Sequence, residues 1–329
     1  MVVIFGVFLL TLLVITAIAI VRTRNLFVAV MLMSIFSLLM AANFFLLDAA
    51  DVALTEAAIG AGISTVLFLG ALALTAERER TGSSQRIAAL IVVVATALTV
   101  IYATFEKPRF GDPEAPVHQH VAPWYIANTP ELIDIPNVVT AILGSFRGYD
   151  TLGEVFVVFT AGIGVLFLIG ARRPRRDHGI EAGHLEPNEG LRHHLIPRVV
   201  GRFLIPFILL FALYVQFHGE YGPGGGFQAG AIVAAAIVLY ALLEGESRAL
   251  AALPRHVLTG LAVGGALLYG GVGIVAMLRG GNFLDYSVLA ADPIAGQHLG
   301  ILLIEAGVGV TVTGVLLLIF HAYAARERF

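Results

Sequence analysis

Ionisable side chains are scarce inside the apolar runs of this sequence, so each one found there marks a place where chemistry can be done. Glu56 lies in TEAAIGAGISTVLFLG, Asp150 and Glu154 in RGYDTLGEVFVVF, and Glu305 in GILLIEAGVGVTVTG. An ionised group at the centre of a membrane helix costs about 2.5–3.5 kcal/mol on insertion scales, so it must face protein or water. A carboxyl that faces water can exchange a proton or hold a cation. Gly60 and Ser64 follow Glu56 at i+4 and i+8, and small residues on that face imply a close neighbouring helix. Gly60 and Gly62 also suit a π-bulge or local unwinding. The competing reading of Glu56 is a carboxylate that snorkels to the surface. Asp150 and Glu154 are four residues apart with Arg147 one turn earlier, a spacing that serves a structural ion pair as well as a relay. Glu305 has no basic residue before it in its run and is followed by Gly307, Gly309 and Gly314, the pattern of a proton relay more than of an ion pair.

A second constellation is HGEYGPGGGFQAG, from His218 to Gly230. Pro223 fixes the chain just before Gly224, Gly225 and Gly226, the glycines permit positive φ and close backbone approach, and Phe227 restarts a helix. The expected result is a helix break with His218 and Glu220 at its mouth. Backbone exposed at membrane depth must be buried in protein or line a wet cavity. A tight interfacial turn is the plainer alternative.

The elements that hold these residues are membrane helices. Hydrophobic residues make up 58% of the 329 and charged residues 13%, which excludes an ordinary soluble domain. Runs of about 20 apolar residues occur at 2–21, 26–47, 52–75, 87–105, 152–171, 199–217, 227–243, 257–278 and 300–320. The fold expected is an all-α polytopic membrane protein of about nine transmembrane helices. With the N-terminus outside and the C-terminus cytoplasmic, all of the 20 basic residues except Lys107, Arg109, Arg147 and Arg279 fall on the cytoplasmic side, as the positive-inside rule requires. The first run has no basic segment before it and no convincing cleavage site after it, and it reads as a retained span.

A formal charge of −3 gives no footing for a nucleic-acid partner, and with no cysteine there is no thiolate metal site or iron–sulfur ligation. The segment 106–137 has six prolines, His118, His120 and the single tryptophan, Trp124, and reads as an outer loop. Two histidines without a further nearby ligand form a solvated patch, so no metal and no cofactor is expected. The charged, histidine-rich and proline-broken segment 172–198 reads as a cytoplasmic linker.

The residues carry a resemblance. The HG and PGGGFQAG of residues 218–230, followed by the LLIEAGVG span, resemble the B-type component of Mrp-type multisubunit Na+/H+ antiporters, the MnhB family. DVALTEAAIGAGISTVLFLGALALT resembles the D-type component of energy-converting membrane-bound hydrogenases, also found in the C-terminal part of the Mrp A-type component. PNVVTAILGSFRGYDTLGEVFVVFTAGIGVLFL is similar to the E-type component of the same complexes. The resemblance implies a D-type module over 1–105, an outer loop plus E-type module over 106–171, the linker at 172–198 and a four-helix B-type module over 199–329. It also implies a non-enzymatic subunit of a cation (Na+)/proton antiporter complex in the inner (plasma) membrane of a prokaryote. Its partners would be the other subunits, membrane lipid, Na+ and H+. Glu56, Asp150, Glu154, His218, Glu220 and Glu305 would belong to the ion or proton path, residues 223–227 to a structural loop, and Gly60 and Gly62 to helix packing. The loop departs from the commoner form in having Glu220 and Tyr221, then Gly222 where serine is usual. Two alternatives stand beside this: the same module inside a hydrogenase or other complex I-related oxidoreductase, and a non-transporting assembly scaffold.

Overall fold

The computed structural model describes residues 2–72, 78–79, 86–109, 111–170 and 195–324. Among the described residues the regular structure is helical, apart from one isolated bridge between Asn25 and Arg78. Nine helices among them are long and apolar enough to cross a membrane, in agreement with the sequence reading. Most of the expected linker lies outside the described residues, but its last four positions, 195–198, already belong to a helix.

Helices α1 (Val2–Arg22) and α2 (Leu26–Leu46) pack on each other, and Asn25 caps α2 by accepting from the Val28 N–H at 3.2 Å. The next span is continuous but changes pitch, running through α3 (Ala50–Thr55), a π-helix (Glu56–Ile63) and α4 (Ser64–Leu72). Wide turns displace carbonyls from their usual partners, and hydroxyls answer them. Ser34 on α2 donates to Ala61 O at 3.0 Å, and Ser64 donates to Gly60 O at 2.5 Å. Helix α5 (Arg86–Thr104) is exposed from Ile87 onward.

The segment expected to be loop contains a helix. A π turn (Val117–Val121) leads into α6 (Ala122–Leu132), with Pro123 in its first turn, where the missing N–H is no loss. Trp124 and Tyr125 pack against Phe146 with ring centroids 5.3 and 5.1 Å away, which anchors α6 to the start of the next span. That span begins with α7 (Val138–Thr140), widens into a π turn (Ala141–Phe146) and continues as α8 (Gly148–Gly170).

The remainder is α9 (Leu195–His218), α10 (Gly226–Glu244), the short α11 (Glu246–Ala252), α12 (Arg255–Leu278), a 3-10 turn (Tyr286–Leu289) and α13 (Pro293–Ala324). Helix α13 starts earlier than the apolar run because Asp292 caps it, accepting from the Ala295 N–H at 3.0 Å. At 32 residues it is about 48 Å long, well beyond a hydrocarbon core of about 30 Å. It is the axis of the molecule, packed against α8, α10 and α12 and buried along most of its length. Small residues allow that: backbone meets backbone where Gly230 lies on Gly309 and Gly265 on Gly307.

Candidate functional site

Helix α9 ends at His218 and the chain doubles back through Gly219–Gly225. Gly225 has φ +128°, a conformation side-chain-bearing residues rarely adopt, and its N–H donates to Val215 O at 3.0 Å, tying the loop to the helix it has just left. Gly225 alone of the three consecutive glycines has positive φ. Gly226 is needed for proximity instead: a Cβ there would run into the backbone of Glu305 and lie 2.8 Å from Gly309 N. The helix restarts at Gly226, one residue earlier than expected, and its first free N–H donates to Glu305 Oε2. Glu305, expected to be unpaired, therefore has a backbone partner at a helix N-terminus, where a carboxylate is favoured.

The loop is held from the side by the segment before α7. The Asn137 N–H donates to Glu220 O at 3.0 Å, and its side-chain NH2 lies 3.1 Å from Gly219 O, 3.0 Å from Gly222 O and 3.3 Å from Asp51 Oδ1. Thr140 donates its hydroxyl to Gly219 O at 2.7 Å. Carbonyls that a helix would have satisfied are thus satisfied by side chains from another span, which is what a helix break at membrane depth demands.

Two cavities meet at Glu305. One, of about 250 Å³, is lined among others by Asp51, Thr55, Thr151, Glu154, Gln228 and Glu305. The other, of about 280 Å³, takes Gln216, Glu220, His298 and again Glu305 into its wall. Glu220 Oε2 and His298 Nδ1 are 3.1 Å apart across the second cavity. Gln228 donates to Thr55 Oγ1 at 2.7 Å at the edge of the first, joining α10 to α3. Each space is large enough to hold several waters beside its polar side chains. Carboxylates from α3, α8 and α13 thus share one hydratable space, and a fourth from the loop faces a histidine on the other side of Glu305.

The remaining residues singled out from sequence lie elsewhere. Asp150 is exposed and pairs with Arg147 at 2.5 Å, outside both cavities, because the π turn ends at Arg147 and restarts the helix with the pair on its outer face. Glu56 covers Gly60 and faces α2: a Cβ on Gly60 would meet the Glu56 carboxylate and lie 3.0 Å from Ser37 Oγ. Gly62 makes no such close approach, since a Cβ there would sit 3.4 Å from Ala57 O. His218 was expected at the mouth beside Glu220, but its ring stacks on Tyr214 at 4.8 Å and faces an outer groove with Phe211 and Phe217. The imidazole lies against the loop instead, where a Cβ on Gly222 would be 2.9 Å from His218 Nε2. Pro223 is exposed, whereas Phe227 lines the cavity shared by Asp51, Glu154 and Glu305. Asp51, Asn137, Gln228 and His298 were not foreseen. Among the described residues no cluster of histidine and carboxylate side chains could hold a metal ion.

Three family models match in succession: the D component of MBH over residues 11–77, the E component of MBH over 84–184, and a domain related to the MnhB subunit of Na+/H+ antiporters over 196–318. A probable K(+)/H(+) antiporter A/B protein of Rhizobium meliloti is 28% identical over 205 residues, 57% of this chain and 20% of that protein. One chain of the Mrp complex from Dietzia sp. has the same fold over 96% of this chain and 34% of its own length, with a TM-score of 0.78 and 28% identity. The chain therefore spans about a fifth to a third of these longer relatives. An archaeal membrane-bound sulfane sulfur reductase contains a chain that matches at a TM-score of 0.52 and 25% identity, covering 70% of this chain and 96% of that one. A putative antiporter subunit mnhB2 of Staphylococcus aureus is 34% identical over 125 residues, 37% of this chain and 88% of the relative. With the loop, the LLIE span and the succession of matches in agreement, this multi-pass membrane chain belongs to the MnhB family of antiporter subunits.

Proposed function

We propose that the chain is one component of a multisubunit cation/proton antiporter complex in a prokaryotic plasma membrane, and that Glu305 passes protons or a cation between the two cavities that meet at its carboxylate. The observation that carries this is the meeting of Asp51, Glu154 and Glu305 in the wall of one cavity, each from a segment matched by a different family model. A carboxyl in that setting has a cavity on two sides and a single backbone donor, so protonation and deprotonation need no large rearrangement. Glu220 and His298 supply the exchange partner on the loop side, and Asp51 and Glu154 on the other. As to the cation exchanged, the name of one relative gives K+ and that of the family model Na+. The orientation that fits the basic residues puts the N-terminus and the Glu220 loop outside.

The test is Glu305→Gln in the assembled complex, with exchange followed in everted vesicles by a pH-sensitive dye on adding Na+ or K+. Exchange should fall at least about tenfold, in the range a positioned acid–base group contributes, while the subunits still co-purify. Wild-type exchange in the assembled variant excludes Glu305 as the relay. The match to the sulfane sulfur reductase supports a second reading, in which the same path serves a redox-driven complex. Purification from native membranes separates the two: subunits carrying redox centres accompany the chain only in the second.

A further inference from the structure

The end of the bundle remote from the His218 loop carries a charge imbalance. Glu244, the last residue of α10, is almost fully buried, and three arginines converge on it. Arg198 Nε lies 3.1 Å from Oε1, Arg202 Nη2 2.5 Å from the same oxygen, and Arg248 Nη1 2.6 Å from Oε2. One carboxylate balances one guanidinium. Glu246 lies 3.6 Å from the buried His321, and Arg255 donates to His321 O at 3.5 Å. The patch therefore holds four arginines against two glutamates among the described residues. The Arg202 and Arg248 side chains are half exposed and that of Arg198 about a third, so each guanidinium keeps donors directed away from Glu244.

The surface below is apolar. Arg198 and Arg202 sit in the first two turns of α9, and Ile196, Val199, Phe203 and Phe207 beside them are exposed to between 54 and 76%. Further along, Phe207, Leu210, Phe211 and Tyr214 line an open groove of about 620 Å³. Fixed positive charge at a helix end, directly above an uncovered aliphatic and aromatic face, is complementary to one class of molecule.

We infer that Arg198, Arg202 and Arg248 form a binding site for an anionic diacyl phospholipid, its phosphate on the guanidiniums and its acyl chains along the outer face of α9. Glu244 fixes the arginines in place and the lipid phosphate supplies the missing anion. Arg–phosphate pairing is bidentate and favours this over a diffuse surface attraction.

The experiment uses the full chain in detergent and phosphatidylglycerol or phosphatidylcholine labelled on the acyl chain, with binding read by anisotropy. Phosphatidylglycerol should bind saturably and more tightly than phosphatidylcholine, and Arg198→Gln and Arg202→Gln should each weaken it about fivefold. The glutamine amide can still donate to Glu244, so folding is protected. Arg198→Lys and Arg202→Lys keep the charge and should bind better than the glutamine variants. Arg147→Gln, in the separate pair with Asp150, should bind like the wild type. Equal affinity for the two lipids, wild-type affinity in the glutamine variants, or an equal loss in Arg147→Gln would each overturn the site. Full competition by inorganic phosphate at matched concentration would show a free-anion site in place of a lipid one, and would overturn it as well.

Discussion

Gly226 is the residue at which a backbone N–H must reach Glu305, and the space there is fixed by the main chain of α13 and not by a movable side chain. A methyl group at this position would meet the Glu305 carbonyl, and would lie 2.9 Å from Val308 Cβ. Overpacking of this kind costs about 1–3 kcal/mol. Gly226→Ala should lower the thermal unfolding midpoint of the detergent-purified chain, and should lower exchange because the helix must move off Glu305. Asn137→Ala removes the side-chain donor to Gly222 O and one of the two donors to Gly219 O, which keeps the Thr140 hydroxyl, and a carbonyl left unsatisfied costs about 1–3 kcal/mol. It should unfold earlier than Asn128→Ala, whose side chain donates only to Trp124 O within its own exposed turn; limited proteolysis at the Gly219–Gly225 loop would check this. Glu154, Glu220 and Glu305 could be picked out in sequence because a carboxylate in or beside an apolar run is costly and conspicuous. Asp51, Asn137 and His298 sit at helix starts or ends, where polar residues are common, so nothing local distinguishes them from caps.

At the scale of elements, the nine apolar runs were legible because length and hydropathy suffice to define a span. The glycine pair after Glu56 also pointed to a disturbed helix, and a π segment is found there. Helix α6 was not legible: its prolines read as breakers, yet Pro123 falls in the first turn and the aromatic packing on Phe146 is a tertiary effect. The loop's partner was hidden too, since Asn137 and Gly219 are 82 residues apart. Gly60 tests the π segment. A methyl group there would meet only side-chain ends, the Glu56 carboxylate and Ser37 Oγ, so Glu56 would have to swing aside while the backbones of both helices stay in place. Gly60→Ala should therefore shift stability by no more than about 1 kcal/mol, as should Gly62→Ala with only an ordinary contact to meet; a clearly earlier thermal transition in Gly60→Ala alone would mean that the Glu56 side chain cannot leave its place against α2.

For the whole molecule, the question is whether carboxylates contributed by three segments act as one site or as separate groups. Glu154 and Glu305 line the same cavity, while Asp150, one turn before Glu154, points outward into its pair with Arg147. Groups that act as a unit give strongly non-additive losses when removed together, and independent groups give multiplied losses. If protons or cations pass through one shared space, the first neutralisation already interrupts the path. Exchange in a complex carrying both Glu154→Gln and Glu305→Gln should then be no lower than in Glu305→Gln alone, within about twofold. Asp150→Asn should keep wild-type exchange and lose only the stability of an exposed ion pair, about 0–1 kcal/mol. The measurement is initial rate of dye-reported exchange in vesicles, normalised to assembled complex. Losses in Glu154→Gln and Glu305→Gln that multiply would mean that the two groups act independently and not as one site. A large loss in Asp150→Asn would instead place the path on the outer face of α8, where Asp150 and not the cavity residues would be its first carboxylate.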